Sequence, residues 1–199
     1  MELELVCIRH GRTQWNKDKR YLGHTDMGIL PESLTELMPV KEELEGRKFH
    51  QVFCSDLKRC KETLAYIYPI SPDRVVFDRR LREMDFGDWE GQTYDQLKDI
   101  SIYRDWLDNP ESVVPPRGES WGDFQQRLNY FMDSLVRVNE EDNHDNVVSS
   151  VLLVTHGGVI RQLASMMIRS SKFWDYAVDP GSILTLKLTF HDGKWKGCL

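Results

Sequence analysis

The chain has 199 residues, of which 40% are hydrophobic and 29% charged, so it is long enough to bury a core, and we expect a single domain over residues 1–199. The formal net charge of −6 argues against a general nucleic-acid binder, which carries a basic face. No apolar run approaches the roughly eighteen residues that cross a bilayer, so we expect no membrane contact. The four cysteines form no C-x-x-C pair, which favours reduced thiols and a cytoplasmic location.

The first predicted element is a buried parallel strand over residues 5–8 that ends in R-H-G at 9–11. An apolar run of this kind is typical of a strand covered on both faces, and open α/β sheets bind ligands beyond the carboxyl ends of their strands. A polar loop over residues 11–28 follows. Pro39 interrupts any helix through residues 30–45, so two short helices or a kinked one are expected there.

The later elements are predicted from apolar periodicity, capping residues and turn residues. The first are a strand at 51–55, a helix at 56–68, a strand at 74–77 and an irregular stretch at 81–92. Next come a helix from a Thr93/Gln96 capping box toward Trp106 or Leu107, a loop at 109–118, and a long helix that Ser120 caps, with Val138 facing inward and the polar tract 139–146 at its end. The last are a strand at 147–155, a helix that carries Val159 and Met167, an outer strand at 182–190 and, after an Asp192-Gly193 turn, a short tail. Strands separated by helices predict an α/β fold, a three-layer α/β/α sandwich with a largely parallel central sheet.

Two predicted strands end in histidine and glycine, R-H-G at 9–11 and T-H-G-G at 155–158. We expect His10 and His156 to reach the same edge of the sheet. A neutral imidazole is a competent nucleophile toward phosphorus, and nearby arginines bind phosphate and disfavour protonation of the histidine. The helix after His156 offers its N-terminal amides to an anion. Each histidine taken alone is more often a core residue bonded to a backbone carbonyl, but two at matched strand ends favour a site.

Five stretches occur in an order that is specific to one family. They are R-H-G-R-T-Q-W-N at 9–16, C-S-D-L-K-R-C-K-E-T at 54–63, L-R-E-M-D-F-G-D-W-E-G at 81–91, P-R-G-E-S at 116–120 and V-T-H-G-G at 154–158. In these stretches the chain resembles the histidine phosphatase superfamily, the clan that includes phosphoglycerate mutase. One segment departs from the family's D-x-P-L-T-x-x-G: residues 26–33 read D-M-G-I-L-P-E-S and lack the threonine that would cap a helix.

The resemblance implies a phosphomonoesterase that needs no metal or other cofactor and acts through a phosphohistidine. It implies that His10 attacks the phosphoryl group, while Glu83 protonates the leaving oxygen and then activates water. The phosphate would be bound by Arg9, Arg59, His156 and Asn16. Candidates for the rim of the substrate pocket are Arg12, Glu119 and Trp106. Outside these motifs, arginine and glutamate side chains are more often solvated than functional.

The substrate is expected to be a small phosphorylated metabolite. The stretch W-E-G-Q-T-Y-D-Q-L at 89–97 is similar to α-ribazole phosphatases of cobalamin assembly, so α-ribazole 5′-phosphate is the best guess. A set of aromatic residues can either wall a pocket for a flat substrate or pack in the core, namely Trp89, Tyr94, Tyr103, Trp106 and Trp121.

Three alternatives stay open at this stage. The first is a broad-specificity phosphatase or one for sugar or glycerate phosphates. The second is a phosphoglycerate mutase, whose members carry extra segments that close the site and for which this chain has little room. The third is a catalytically silent phosphate-ligand binder, which would not need both His10 and Glu83. The pattern predicts no oligomeric state.

Overall fold

The computed structural model describes residues 1–142 and 148–199, with the side chains of 137–142 left aside. The strands are β1 (Glu2–Arg9), β2 (Gln51–Cys54), β3 (Val75–Phe77), β4 (Ser149–Thr155), β5 (Ile183–His191) and β6 (Lys194–Cys198). The helices are α1 (Gln14–Lys17), α2 (Ser33–Glu36), α3 (Met38–Leu44), α4 (Lys58–Ile67), α5 (Tyr94–Leu97), α6 (Ser101–Asp108), α7 (Trp121–Asp142) and α8 (Gly157–Met167).

The strands form one sheet in the order β3-β2-β4-β1-β5-β6. The first four of these run parallel, β5 pairs antiparallel with β1, and β6 pairs antiparallel with β5 at the edge. Helices cover both faces, which confirms the predicted three-layer α/β/α sandwich with its largely parallel sheet. After β1 the chain forms β2 and the edge strand β3, and it then returns to place β4 between β2 and β1.

The central strands are apolar because each of their two faces meets a helical layer. In β1, Leu5 and Cys7 pack in the cluster formed with α7 and α8, while Val6 and Ile8 pack in the cluster formed with α3 and α4. Side chains alternate across a strand with a period of two, so both sets are buried at once. Each fully buried aliphatic side chain contributes about 1.5–3 kcal/mol to stability, which fixes the register of β1.

The end of the chain differs from the prediction. The segment predicted as an outer strand is β5, which lies inside the sheet, and the predicted short tail is the edge strand β6. The Asp192-Gly193 turn connects them with positive φ angles of 50° and 71°, the geometry of a tight two-residue hairpin. Because Trp195 packs against the core, the tail gains enough burial to form a strand.

The predicted helix from Thr93 toward Trp106 is broken in two. The Thr93 capping box begins α5 as predicted, but Ile100 has extended backbone angles (φ −85°, ψ 121°) and separates α5 from α6. The break lets Leu97 and Tyr103 both point into the interior, where each is fully buried. Burial of both side chains therefore overrides the continuous helical pattern.

Other predicted boundaries are confirmed. Two short helices, α2 and α3, replace a continuous helix over residues 30–45, and Pro39 lies in the first turn of α3, where its missing N–H is not needed. Ser120 caps α7 by accepting a bond from the Asp123 amide at 3.1 Å. Predictions for the Val138 side chain and for residues 143–147 lie outside the described part. No helix in the described ranges is long and apolar enough to span a bilayer.

Candidate active site

The two predicted histidines meet at the carboxyl edge of the sheet. Arg9 and Thr155 are register partners at the ends of β1 and β4, and the His10 amide donates to the Thr155 carbonyl at 2.9 Å. The imidazole rings of His10 and His156 are therefore neighbours, with centroids 5.1 Å apart and planes inclined at 65°. Both rings are buried, as expected for a site recessed below the surface.

One hydrogen bond fixes the tautomer of His10. Its Nδ1 lies 2.7 Å from the Gly11 carbonyl oxygen, which can only accept, so Nδ1 carries the proton and Nε2 keeps its lone pair. Burial, followed by the charges of Arg59 and Arg9, holds the pKa of His10 well below its usual value. The ring is therefore a neutral imidazole with a free nucleophilic nitrogen at neutral pH.

Arg59 extends from the first turn of α4 into the same space and is fully buried. It donates from Nη1 to the Thr25 carbonyl at 2.9 Å and from Nη2 to the Gly23 carbonyl at 2.6 Å, and its Nε donates to Nδ1 of His156 at 3.2 Å. These bonds use three of the five guanidinium N–H groups. The loop carbonyls thus orient the guanidinium, while within the described residues one N–H on each terminal nitrogen stays available for an anion.

His156 is held between two partners. Because its Nδ1 accepts from Arg59, its Nε2 carries the proton and donates to Ser55 Oγ at 2.9 Å. Burial, then Arg59, lowers the pKa of His156 well below the usual value, so this ring is also neutral. Ser55 follows β2, a third strand end at the same edge, and it is not among the residues predicted from the sequence. The predicted bond from His156 to phosphate stays a prediction.

Arg9 contributes a second guanidinium, which is partly buried. Its Nη1 donates to the Val178 carbonyl at 2.6 Å, and its Nε has no partner among the described residues although it is buried. Burial lowers the pKa of both Arg9 and Arg59, since the charged forms lose hydration. Arg9, His10, Arg59 and His156 are called the strand-end cluster below. An orphaned buried donor in such a cationic cluster is typical of an anion site.

Glu83 lies against the N-terminus of α8. Its Oε2 accepts from the Gly158 amide at 2.9 Å, and its Oε1 accepts from the Met84 amide at 3.0 Å. A Cβ at position 158 would overlap Glu83 Oε1, so any larger residue there would displace the carboxylate. The prediction that the first amides of this helix are open to phosphate is wrong for Gly158, because Glu83 occupies that amide.

The remaining predicted residues have partners of their own. Asn16 Oδ1 accepts from the Thr13 amide at 3.1 Å and completes the cap of α1, so its oxygen is engaged and its role toward phosphate stays a prediction. Arg12 forms a half-exposed ion pair with Glu36 at 3.2 Å. Both carboxylate oxygens of Glu119 accept from an arginine of α7, described below. The rim roles of Arg12 and Glu119 stay predictions.

A pocket of about 210 Å³ opens beside Glu83. Its walls are largely aromatic and include Phe86, Trp106, Trp121 and Phe173, and it is called the aromatic pocket below. The indole N–H groups of Trp106 and Trp121 are buried without a partner among the described residues. The pocket therefore offers flat, largely apolar walls.

Part of this pocket is predicted by the sequence. Trp106 and Trp121 line it, whereas Trp89 and Tyr103 pack in a core cluster and Tyr94 is exposed. Lining residues that were not predicted include Arg161, Phe173 and Trp174. Arg161 follows Gly158 by one helical turn, so the G-x-x-R spacing would have placed it on the face of α8 toward Glu83. Nothing in the local pattern indicates Phe173 or Trp174.

Three thiols are buried in the core, and one of them contacts the site, since Cys60 Sγ lies 3.5 Å from His156 Nε2. Cys7, Cys54 and Cys60 are free and buried, and burial raises the pKa of each, to about 12 for Cys60. A thiol that stays protonated is a poor nucleophile, so these residues act as small core side chains. Among the described residues, no group of three or more His, Cys, Asp or Glu side chains is arranged to hold a metal ion.

Comparison with known proteins gives one consistent family. The family model of the histidine phosphatase superfamily (branch 1) matches residues 5–197. The adenosylcobalamin/alpha-ribazole phosphatase of Escherichia coli is 30% identical over 90% of this chain and 87% of its own length. Phosphoglycerate mutase-like protein 4 of Arabidopsis thaliana is 33% identical over 80% of this chain and 69% of its own length. The crystal structure of a putative alpha-ribazole-5′-P phosphatase from Escherichia coli covers 99% of this chain and 95% of its own, with a TM-score of 0.83 and 25% identity.

Proposed function

The chain belongs to the histidine phosphatase superfamily and is a phosphoric monoester hydrolase, and we propose that it works without a metal through a phosphohistidine at His10. The observation that carries this proposal is the bond from His10 Nδ1 to the Gly11 carbonyl, because it leaves Nε2 unprotonated inside a cluster with two arginines. Charge on the transferring phosphoryl group would be stabilised by Arg9 and Arg59.

In the first step of the proposed reaction, Nε2 of His10 attacks phosphorus in line with the leaving oxygen. The P–N bond forms as the P–O bond breaks, and Glu83 gives its proton to the departing alkoxide. Glu83 supports this role because it lies at the junction of the strand-end cluster and the aromatic pocket. The alcohol leaves in neutral form, and the phosphoryl group stays on His10.

In the second step, Glu83 acts in reverse. Its carboxylate removes a proton from water as the water oxygen attacks phosphorus and the P–N bond breaks. Inorganic phosphate leaves, His10 returns to the neutral tautomer set by Gly11, and Glu83 is again protonated. One carboxylate thus serves both steps, as microscopic reversibility requires.

For the substrate, we propose a phosphate ester with a flat aromatic group, with α-ribazole 5′-phosphate as the first choice and a place in cobalamin assembly. The aromatic pocket supports this choice, because its walls suit a planar heterocycle. Similar proteins from Escherichia coli and Salmonella typhimurium carry that substrate in their names. A glycerate phosphate would leave the aromatic walls unfilled. The cytoplasm is the proposed location, which suits the free buried thiols.

A substrate panel tests the proposal. We expect turnover of p-nitrophenyl phosphate that EDTA does not change. We also expect kcat/KM for α-ribazole 5′-phosphate to exceed the values for phosphoglycerates, sugar phosphates and phosphoserine. Rapid mixing followed by alkaline quench should trap an acid-labile phosphate on His10. Absence of turnover between about pH 4 and pH 8 would support the silent binder instead. Transfer of the phosphoryl group between glycerate positions would identify a mutase.

A further inference from the structure

Arg127 of α7 lies outside the strand-end cluster, yet its guanidinium fastens the loop that carries Glu83. Nη1 donates to the carbonyls of Arg80 and Arg82 at 2.5 and 2.7 Å, and Nη2 donates to the carbonyl of Glu83 at 2.9 Å. Three backbone carbonyls in four consecutive residues therefore converge on one side chain. Such a loop has no ladder of its own to satisfy these acceptors.

A carboxylate holds Arg127 in place. Arg127 Nε donates to Glu119 Oε1 at 2.6 Å and its Nη2 donates to Glu119 Oε2 at 2.9 Å, a planar two-point pair whose side chains are only 16% and 13% exposed. Glu119 also accepts from the amide of Asp85 at 3.4 Å. The pair thus grips the loop on both sides of Glu83.

Glu83 is then fixed at its backbone and at its carboxylate. Its carbonyl contacts Arg127 and, at 3.1 Å, His24 Nε2, while its Oε2 accepts from the Gly158 amide on α8. With both ends held, the carboxylate has one position relative to the strand-end cluster. A shift of the loop by about 1 Å would move the proton donor away from the leaving oxygen.

We propose that the Arg127–Glu119 pair is a positioning device that aims the Glu83 carboxylate at the leaving-group oxygen. The inference rests on the proposed function, in which Glu83 is the acid. It identifies Arg127 as a residue that acts through Glu83 and touches no substrate, and it gives Glu119 a role other than the predicted pocket rim.

The dependence on the leaving group separates positioning from plain stability. A p-nitrophenolate departs without a proton, whereas an alkoxide needs one, and kcat/KM reports only the steps up to departure of the leaving group. Loss of the acid's alignment therefore lowers kcat/KM for an alkyl phosphate and spares that for p-nitrophenyl phosphate. A structural role, such as the stacking of Arg127 on Phe124 at 4.8 Å, would affect both substrates equally.

The experiment compares Arg127→Met with Glu83→Gln and with a matched control, Arg80→Met. Arg80 bonds the same helix through the Tyr130 carbonyl and Ser134 Oγ, and these bonds do not involve Arg82 or Glu83. For Arg127→Met we expect a loss of about 100-fold in kcat/KM on ethyl phosphate and at most about threefold on p-nitrophenyl phosphate, the pattern of Glu83→Gln. Arg80→Met should change both substrates by less than about twofold.

Glu119→Gln guards against a misfolded Arg127 variant. The substituted amide keeps the shape and one acceptor of the carboxylate, so the fold is retained while the two-point pair is lost, and we expect about tenfold loss on ethyl phosphate alone. Equal losses on both substrates in the folded variants, or a match between Arg127→Met and Arg80→Met, would overturn the positioning role. No turnover by the unchanged protein would overturn the proposed function, and this inference with it.

Discussion

The strand-end cluster and the aromatic pocket share Glu83 as their boundary but are built in different ways. The cluster comes from two central strand ends and one helix start, all of its side chains but that of Arg9 are buried, and most of its polar atoms have partners. The pocket comes from loops and helix flanks, and Trp174, which lines it, is 73% exposed. Chemistry is thus fixed by the scaffold, and the choice of substrate is left to side chains that can vary without disturbing it.

Replacement of His10 should break the cluster most severely. His10→Ala removes the nucleophile, and we expect kcat on p-nitrophenyl phosphate to fall by about four orders of magnitude or more, as for other lost nucleophiles. Steady-state kinetics with a circular dichroism check of the fold measure this. A variant that keeps most of its activity would show that another residue carries the phosphoryl group.

Gly158 tests the boundary between the two regions. Gly158→Ala adds a methyl group that overlaps Glu83 Oε1 and pushes the carboxylate from its amide, so we expect about a 100-fold loss of kcat with the fold intact. Gly122→Ala in the first turn of α7 is the matched control, because the added Cβ meets only Ser120 Oγ at 3.8 Å. Equal activity of the two variants would show that catalysis does not depend on the position of the Glu83 carboxylate at the Gly158 amide.

Substitutions in the aromatic pocket should change only the specificity for the substrate. Trp106→Phe and Trp121→Phe each replace an indole of the pocket wall with a smaller ring, so we expect kcat/KM for α-ribazole 5′-phosphate to fall about tenfold relative to that for p-nitrophenyl phosphate, the size of one lost aromatic contact. Trp195→Phe is the control, since Trp195 lies on β6 and does not line the pocket. Similar ratios in all three variants would exclude the pocket as the binding site.

The smallest effect concerns stability and pH. His10 and His156 have pKa values well below the usual 6.5 because they are buried near arginines. Below about pH 6.5 the unfolded chain takes up protons that the folded chain cannot, so the free energy of unfolding should fall by up to about 1.4 kcal/mol per histidine per pH unit until the depressed pKa values are reached. Urea unfolding at about pH 7.5 and pH 5.5 measures this. An unchanged pH dependence in His10→Gln/His156→Gln would contradict it.

The contrast between the two regions also explains what the sequence could predict. His10 and His156 were predictable because each central parallel strand is an apolar run, and the first polar residues after the run mark the end of the strand. Arg59 and Glu83 needed the family motifs, since nothing local separates them from surface residues. Arg127, Ser55 and Trp174 were missed because their roles come from tertiary contacts that leave no periodic pattern.

Individual helices and strands were predicted wrongly where side-chain burial and the local sequence pattern disagreed. The tail after Gly193 is too polar to predict β6, and only pairing with β5 and packing of Trp195 make it a strand. The helix pattern from Thr93 is continuous in sequence, but Ile100 leaves helical geometry so that neighbouring side chains can be buried. Local propensity is a weak guide when about one or two kcal/mol of packing decides the outcome.

The position of β1 has a consequence for how the molecule folds. Both neighbours of β1 in the sheet, β4 and β5, come from the last third of the chain. Contacts of such long sequence separation slow folding, because the intervening loop must be ordered before they form. During synthesis, β1 emerges from the ribosome before either of its partner strands. Its two apolar faces therefore have no neighbouring strand in the sheet until residues 149–155 have been synthesised. The two histidines are therefore brought together late, and we expect catalytic competence to appear only with the docking of β4.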